Sequence, residues 1–272
     1  MERHSAQNRC GNPEWLEPVI ALAWRAGDET LRVYEAGFNV AHKEDKSPLT
    51  EADMASHEVL DKGLRELRPE LPVLSEESAE VDFAVRSTWR RYWLVDPLDG
   101  TREFVKRNGE FTVNIALIED HEPTLGVIVA PVNRLCYFAC RGGGAFRLRR
   151  GGRPEPIHVR RLDMTRVIVA GSRSHAGSRL EGFLKNIGSF DLVSMGSSLK
   201  SCLVAEGSAD VYARLGPTSE WDVAAAQCIV EQAGGRVTDT AMRPMRYNTK
   251  ASLINPDFFV SGDRAHDWSR YL

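Results

Sequence analysis

The sequence has no long hydrophobic run. No stretch reaches the roughly 18 consecutive apolar residues that a membrane-spanning helix requires, and the first residues lack the apolar core of a secretory signal. These absences predict a soluble, cytoplasmic protein. They leave open a peripheral association with the inner face of the cell membrane, and they do not reveal the oligomeric state.

The sequence also has no excess of positive charge. Its 35 Lys and Arg residues are outnumbered by 38 Asp and Glu residues, which gives a formal net charge of −3. Proteins that bind nucleic acid through its phosphates need a basic surface, so the charge balance argues against a nucleic-acid partner. We interpret the short basic segment over residues 147–153 as a polar hairpin turn.

Cysteine is scarce, with five residues in a chain of 272. The number is odd, and the spacing fits no zinc-binding pattern. We therefore expect free thiols that are buried in the core of a protein from a reducing compartment. The five residues are Cys10, Cys136, Cys140, Cys202 and Cys228.

The sequence does contain two successive patterns of secondary structure. Apolar residues at helical spacing predict helices over 13–38 and 51–67, and alternating patterns between turns then predict an antiparallel meander of strands. From residue 166 onward, strands and helices alternate, which is typical of an α/β arrangement. We expect an α+β half over residues 13–155 and an α/β half over residues 156–272, with a boundary at Pro154–Pro156.

The most informative segment is 96–101, which reads DPLDGT. Asp96 and Asp99 follow an apolar run that predicts a buried strand, and Pro97 and Gly100 are expected to end that strand. Two carboxylates at the edge of a core are costly to bury unless a positive group lies between them. A divalent metal ion is the simplest such group.

Acidic residues recur at the ends of other predicted elements. Glu76 follows a strand, and Asp222 lies at the start of a helix, where the helix dipole favours an anion. Together with Asp96 and Asp99 they form an all-oxygen ligand set, which suits a hard ion such as Mg²⁺. Two such ions, roughly 3.5–4 Å apart, would activate water and stabilise the leaving oxygen of a phosphate ester.

Thr101 follows Asp99 by two residues, so its hydroxyl is expected close to the metal ligands. A hydroxyl there would hold an attacking water if another carboxylate accepted the proton. Asp45 and Asp53 are both candidates for that carboxylate, and the residues alone do not choose between them.

A second group of residues has the character of an anion site. The segment 196–200 (GSSLK) offers two hydroxyls, the backbone N–H groups of a predicted helix start and an ammonium group. An arginine and a loop histidine elsewhere in the second half would add donors. The polar side chains concerned are Ser197, Ser198, Lys200, Arg214 and His175.

These motifs together resemble the Mg²⁺-dependent, lithium-sensitive phosphatases of the inositol monophosphatase superfamily. The resemblance runs over residues 15–260 and rests on DPLDGT, on the upstream Glu76 and on the downstream pair Trp221 and Asp222. Within the superfamily, the chain is similar to 3′(2′),5′-bisphosphate nucleotidases of the CysQ type. The segments that carry this finer similarity are 43–53 (KEDKSPLTEAD), 73–77 (VLSEE), 91–119, 172–175 (SRSH), 196–207 (GSSLKSCLVAEG) and 255–256.

The resemblance implies a layered α-β-α-β-α sandwich of the inositol monophosphatase and fructose-1,6-bisphosphatase type. It also implies two or three Mg²⁺ ions, with Asp45 and Thr101 orienting the nucleophilic water and Asp53 near the metals. The implied metal ligands are Glu76, Asp96, Asp99, Asp222 and the backbone carbonyl of Leu98. The implied substrate contacts are Gly100, Thr101, His175, Ser197, Ser198, Lys200, Arg214 and Asp222.

The activity implied by the resemblance is hydrolysis of the 3′-phosphate of 3′-phosphoadenosine 5′-phosphate, which gives AMP and phosphate and clears a by-product of sulfur assimilation. This substrate has two phosphates. One would lie on the metals, and the other would need a separate cationic pocket, which the segment 196–200 with Arg214 supplies. Two alternatives stay open: an inositol-1-phosphate or fructose-1,6-bisphosphate phosphatase on the same metal core, and a catalytically silent nucleotide-binding sensor.

Overall fold

Two β-sheets and the helices packed on them make up the structure. It is a computed structural model that describes residues 13–42, 48–78, 80–171 and 177–272. The helices are α1 (Pro13–Ala36), α2 (Glu51–Glu66), α3 (Phe83–Arg86), α4 (Thr101–Val105), α5 (Ser178–Ile187), α6 (Leu199–Ala205) and α7 (Glu220–Gln232), with a 3₁₀ turn at Trp268–Tyr271. Among the described residues, none of the helices combines the length and apolarity that a bilayer crossing requires.

The strands divide between a small antiparallel pair and two larger sheets. They are β1 (Val40–His42), β2 (Pro48–Thr50), β3 (Val73–Ser75), β4 (Arg91–Asp99), β5 (Thr112–Glu119), β6 (Glu122–Ala130), β7 (Leu135–Cys140), β8 (Gly144–Arg149), β9 (Pro154–Pro156), β10 (Val167–Gly171), β11 (Phe190–Ser194), β12 (Val211–Arg214), β13 (Arg236–Asp239) and β14 (Phe258–Ser261). The pair is β1 with β2.

The first large sheet has seven strands in the order β3-β4-β5-β6-β7-β8-β9. β3 is parallel to β4, and every later pair of neighbours is antiparallel. The antiparallel meander predicted from the alternating patterns is therefore confirmed.

The second sheet has five strands in the order β11-β10-β12-β14-β13. β10 is parallel to both of its neighbours, and β14 is antiparallel to both of its own. The chain leaves β10 through α5 to reach β11 and leaves β11 through α6 to reach β12. Helical crossovers of this kind are what parallel strands require, so the predicted alternation of strand and helix is confirmed.

The sheets are buried on both faces because alternate strand residues point into different cores. In β4, Tyr92 and Leu94 belong to the core that contains α6 and α7, whereas Trp93 and Val95 belong to the core that contains α1 and α2. A third core packs α5 and the 3₁₀ turn on the outer face of the second sheet. The layers therefore run helix, sheet, helix, sheet, helix, and the predicted sandwich is confirmed.

One local prediction about proline is wrong. β4 continues through Pro97 to Asp99, because a register shift between Asp96 and Asp99 lets the strand bulge where proline has no N–H to donate. The segment Pro154–Pro156 is strand β9 and lies at the edge of the first sheet, where proline is tolerated. The division into halves at residue 155 stays a prediction.

The cysteines differ in whether their thiols are free or disulfide-bonded. Cys136, Cys202 and Cys228 are free and buried, as predicted. Cys140 is disulfide-bonded, so the prediction of a free thiol is wrong at that position. Cys10 lies outside the described residues.

Helix α7 lies directly on β6 at Gly126. A Cβ at this position would be 3.0 Å from the Cβ of Cys228, and it would also collide with the backbone carbonyl of Ala225. Only a residue without a side chain lets the helix approach the sheet this closely. The contact fixes the distance between α7 and the strands that follow β4.

Replacement of Gly126 by alanine should lower the free energy of unfolding by about 1–3 kcal/mol, because an added methyl in a closely packed contact forces backbone or side chains to move. Urea denaturation measures the change. The matched control is Gly182→Ala in α5, where an added Cβ meets nothing within 4 Å. Because alanine is the better helix former, the control should stabilise the protein by up to about 1 kcal/mol. Equal stability of the two variants would contradict the close contact.

Candidate active site

Three carboxylates from three different elements converge at one point. Glu76 follows β3, Asp96 is in β4 and Asp222 is in the first turn of α7. One carboxylate oxygen from each lies within 4.8 Å of the others. Asp96 is buried, and the other two are half-buried. The fold thus brings together three of the four acidic side chains predicted as metal ligands.

Backbone hydrogen bonds align the two carboxylates from the first sheet. The Glu76 N–H donates to the Val95 carbonyl at 3.2 Å, which places Glu76 beside the end of β4. The Leu98 N–H donates to the Asp96 carboxylate at 3.0 Å, so the bulge after Asp96 turns a backbone donor toward it. Both contacts are local consequences of the strand pairing.

Burial and the neighbouring carboxylates raise the pKa values of Asp96 and Asp222. Burial, followed by repulsion from Glu76, Asp99 and Asp222, raises the pKa of Asp96 well above its ordinary value. Burial, followed by repulsion from Asp99 and Glu76, raises the pKa of Asp222 to about 8. Each group resists ionisation beside the others, and a cation among them would remove that penalty.

The donor set fits a hard divalent cation. The group of three supplies only carboxylate oxygens, and oxygen ligands are those that Mg²⁺ prefers over softer metals. The buried position excludes much of the water that would otherwise screen the negative charge. The chemistry and spacing of this cluster are those of a group that could hold a metal ion.

Asp99, the fourth predicted ligand, lies beside the cluster and is held by the protein on one side. Its Oδ2 accepts hydrogen bonds from the Ser198 N–H at 2.5 Å and from the Ser198 hydroxyl at 2.8 Å. Thr112 and Asn114 of β5 lie 3.5 Å from the same oxygen. Asp99 also acts electrostatically on Asp222, so its charge belongs to the same cluster.

Thr112 and Asn114 are site residues that sequence reasoning missed. They occupy alternate positions of an otherwise apolar strand and therefore face the same side. Both are buried, and the Asn114 amide also donates to the Ser198 hydroxyl at 2.9 Å. Two polar residues at alternate positions of an apolar strand are the signal that would have found them.

Thr101 faces Asp53. The Thr101 hydroxyl lies 3.3 Å from the Asp53 carboxylate and 3.3 Å from the Leu98 carbonyl. The other carboxylate oxygen of Asp53 accepts from the N–H and the hydroxyl of Thr50, at 2.8 and 2.7 Å. Asp53 therefore caps α2 and contacts Thr101 at the same time. Asp45, the other candidate partner of Thr101, lies outside the described residues.

Asp53 and Asp222 occupy equivalent places in their helices. Each is the third helical residue and forms a capping box, with Thr50 in α2 and with Ser219 in α7. The Ser219 N–H donates to the Asp222 carboxylate at 2.9 Å. The segments TEAD and SEWD both carry the capping-box pattern. Local sequence therefore orients both carboxylates.

The second predicted anion site lies against the DPLDGT segment. Gly100 has a left-handed φ of +92°, and a Cβ there would lie 3.1 Å from the Cβ of Ser197. Glycine meets both demands, the positive φ and the close approach. The turn at Gly100, directly after the paired aspartates of β4, is therefore in contact with the loop that holds Ser197.

Lys200 is buried beside this contact. Its ammonium donates to the Ser197 carbonyl at 2.7 Å and lies 5.3 Å from the ring centre of Tyr212. Burial lowers the pKa of Lys200, and the negative charge of Asp99 opposes that shift. Arg214, at the end of β12, also acts on Lys200 by charge repulsion. Two cations thus stand close to the acidic cluster.

Three details of this second group differ from the sequence pattern or go beyond it. Helix α6 begins at Leu199, two residues later than predicted, because Ser197 adopts a left-handed φ of +47°. The Ser198 hydroxyl lies 2.8 Å from the Asp99 carboxylate and 2.8 Å from the Asp222 carbonyl, and its single proton can be donated to either, so Ser198 links the two acidic residues. Its contact with substrate stays a prediction. His175 lies outside the described residues.

Comparison with known families shows to which family the chain belongs. The sequence model described as the inositol monophosphatase family matches residues 12–267. The chain belongs to the inositol monophosphatase family. The family match spans both sheets and all of the acidic cluster, so it covers the whole described site.

Relatives with named activities are similar to this chain in sequence. A protein of Salmonella typhimurium (strain LT2) named "3'(2'),5'-bisphosphate nucleotidase CysQ" is 49% identical over 248 residues, covering 90% of this chain and 99% of that protein. The protein of the same name from Escherichia coli (strain K12) is 48% identical and also covers 90% of this chain and 99% of its own length.

Solved structures of the family have the same fold. The crystal structure of CysQ from Bacteroides thetaiotaomicron superposes with a TM-score of 0.81 at 40% identity, covering 92% of this chain and 97% of that chain. The inositol monophosphatase of Thermotoga maritima reaches a TM-score of 0.79 at 24% identity, with 95% and 96% covered. The second likeness concerns the fold alone.

The metal-free protein should lose stability as the pH rises. The pKa of Asp222 is raised to about 8, so the folded protein holds a proton that the unfolded chain releases above about pH 4. That stabilisation is complete at low pH and is lost as the pH rises through about 8. Scanning calorimetry in EDTA should therefore show Tm falling between about pH 4 and 8 and levelling off above that, while added Mg²⁺ raises Tm most at the alkaline end.

The control for this experiment is Asp222→Asn, which has no carboxylate to titrate at this position. Its Tm in EDTA should fall less steeply with pH than that of the unmodified protein, and Mg²⁺ should raise it less. A pH-independent effect of Mg²⁺ on the unmodified protein would contradict the proposed competition between proton and metal.

Proposed function

We propose that this protein is a Mg²⁺-dependent 3′(2′),5′-bisphosphate nucleotidase that hydrolyses the 3′-phosphate of 3′-phosphoadenosine 5′-phosphate to AMP and phosphate. The observation that carries the proposal is the contact between the acidic cluster and the segment that holds the buried Lys200. Ser198 joins them, because it follows Ser197 in the chain and binds Asp99 directly. Relatives named as such nucleotidases, 48–49% identical over 90% of the chain, support it.

In this proposal, Glu76, Asp96 and Asp222 hold Mg²⁺, with Asp99 and the Leu98 carbonyl completing the set for two or three ions. When bound, Mg²⁺ would favour deprotonation of a water and neutralise charge on the leaving 3′-oxygen. The protein contributes by keeping the carboxylates within 4.8 Å of one another before the ion arrives. Such preorganisation removes the cost of assembling like charges during the reaction.

Thr101 is proposed to orient the attacking water. Its hydroxyl can accept a hydrogen bond from water while donating to a carboxylate, and the described carboxylate at hydrogen-bonding distance is Asp53. Asp53 in turn is fixed by two hydrogen bonds from Thr50. Asp45 is the partner of Thr101 that the family resemblance implies, and it stays a second candidate for this role.

The second phosphate is proposed to lie on the cationic cluster. Lys200 is the central contact, since its buried ammonium is less hydrated than a surface lysine and interacts more strongly with an anion. The further contacts proposed for the nucleotide are Gly100, Ser197, Ser198, Arg214 and His175. A substrate with one phosphate would leave this buried charge without its partner.

The physiological role proposed is clearance of the nucleotide by-product of sulfur assimilation. Inhibition by lithium and a cytoplasmic location, with or without attachment at the inner face of the membrane, belong to the same proposal and come from the family resemblance. Lithium sensitivity is directly testable, because phosphate release can be followed at fixed Mg²⁺ with increasing LiCl.

The substrate proposal is tested by measuring kcat/KM for three phosphate esters in Mg²⁺: 3′-phosphoadenosine 5′-phosphate, inositol 1-phosphate and fructose 1,6-bisphosphate. We expect the nucleotide to be preferred, and Asp96→Asn to abolish phosphate release while leaving the circular dichroism spectrum unchanged. Equal or better turnover of either sugar phosphate would favour the other phosphatase activities. Nucleotide binding with no phosphate release from any of the three would favour a silent sensor.

Replacement of Lys200 by methionine separates the two phosphate sites. The variant keeps the apolar stem but removes the charge, so KM for the bisphosphate should rise about 10- to 100-fold if a charge-assisted hydrogen bond is lost. KM for a nucleoside 3′-monophosphate should change far less. The control, Lys185→Met in α5, removes an exposed charge outside the site. An equal effect of Lys200→Met on both substrates would refute the two-site assignment.

A further inference from the structure

A buried arginine connects the first sheet to the segment between β13 and β14. Arg86 is the last residue of α3, on the connection that leads from Glu76 to β4, and it is 2% exposed. Its guanidinium donates to the Asn248 side-chain oxygen at 2.5 Å, to the Lys250 carbonyl at 3.2 Å and to the Ala251 carbonyl. The Asn248 amide donates back to the Arg86 carbonyl at 2.6 Å. The two residues are thus paired through both backbone and side chain.

The same asparagine binds the start of α7. The Asn248 N–H donates at 2.8 Å to the carboxylate of Glu220, the first residue of α7, which is 1% exposed. The Glu220 N–H in turn donates to the Leu253 carbonyl at 2.9 Å. Burial raises the pKa of Glu220, and the Asn248 N–H and the positive charge of Arg86 oppose that rise. Arg86, Asn248 and Glu220 therefore form a continuous buried contact chain.

A further contact fixes the same helix end. The Asn255 side chain donates to the Ser219 carbonyl at 2.6 Å, and Ser219 is the residue whose N–H binds the Asp222 carboxylate. The segment 248–255 is therefore bound to Arg86 on one side and to the first turn of α7 on the other. Asp222 lies two residues after Glu220, so the position of this turn determines where the carboxylate points.

We propose that Arg86, Asn248 and Glu220 are positioning residues, which hold the first turn of α7 so that Asp222 stays within metal-binding distance of Glu76 and Asp96. The proposal rests on the proposed function, because it assigns the contact chain to the metal site of that phosphatase. Repulsion among the three carboxylates drives α7 away from the first sheet, and the contact chain opposes that displacement. Outer residues that orient metal ligands typically change metal affinity by about 10- to 100-fold when they are removed.

The first variant is Asn248→Gly. Asn248 has a left-handed φ of +55°, which glycine adopts without strain, and the backbone N–H that binds Glu220 is retained. Only the two contacts with Arg86 are removed. Titration with Mg²⁺ in a calorimeter, without substrate, should show an affinity about tenfold weaker than that of the unmodified protein. KM for the nucleotide at saturating Mg²⁺ should change less than about twofold.

The second test compares Glu220→Ala with Glu220→Gln. Glutamine keeps an oxygen that can accept from the Asn248 N–H, whereas alanine leaves that buried donor unpaired. Glu220→Ala should weaken Mg²⁺ binding by about tenfold, and Glu220→Gln should recover most of the loss. This pair keeps the proposal testable if Asn248→Gly does not fold.

The control is Arg147→Met. Arg147 bridges Glu155 and Glu206 on the first sheet at 2.9 and 3.1 Å, away from α7's first turn. Its loss should lower Tm without changing the affinity for Mg²⁺. If the contact-chain variants behave like this control, with a lower Tm and unchanged Mg²⁺ affinity, the role is structural only and the proposal is overturned.

The affinity for Mg²⁺, measured apart from phosphate release, distinguishes failure of the positioning role from failure of the proposed function. If the unmodified protein binds Mg²⁺ but does not hydrolyse the bisphosphate nucleotide, the substrate assignment fails, and the contact chain is still judged by the Mg²⁺ affinities of its variants. If the unmodified protein binds no Mg²⁺ at millimolar concentration, both are overturned.

Discussion

Repulsion between like charges is the constraint on which the rest of this site depends. Three carboxylates lie within 4.8 Å of one another, and one of them is buried. Such an arrangement is stable only if the fold restrains each group or a cation lies among them. Glu76 and Asp96 come from paired strands, and Asp222 comes from a helix far along the chain. The layered packing of α7 on the first sheet is what brings the three together.

The protein supplies part of the missing positive charge through backbone donors. Asp96 accepts from the Leu98 N–H, Asp99 from the Ser198 N–H and Asp222 from the Ser219 N–H. Hydrogen bonds of this kind favour the ionised carboxylate. These hydrogen bonds do not compensate fully for burial and mutual repulsion, which still raise the pKa of both Asp96 and Asp222. The remaining imbalance is the driving force for binding a cation.

What the sequence could predict is the part that local chemistry determines. Asp96, Asp53 and Asp222 are oriented by backbone donors at most three positions away, and sequence reasoning found all three carboxylates. The path of β4 through Pro97 was not predicted, because a bulge depends on the partner strand β5 on the far side of the turn. The bond from Ser198 to Asp99 joins residues 99 positions apart, and no local pattern signals it.

Two buried cations near α7 show why burial alone does not define a role. Arg86 uses its planar guanidinium to bind one side-chain oxygen and two carbonyls of the protein, which suits a fixed structural contact. The Lys200 ammonium has three donors, and the described residues offer it one hydrogen-bond acceptor, the Ser197 carbonyl. Burial lowers the pKa of Lys200, and the negative charges of Asp99 and Asp222 oppose that shift. A buried ammonium that is incompletely bonded is suited to an anionic ligand, so Arg86 belongs to the framework, whereas Lys200 is proposed to bind the substrate.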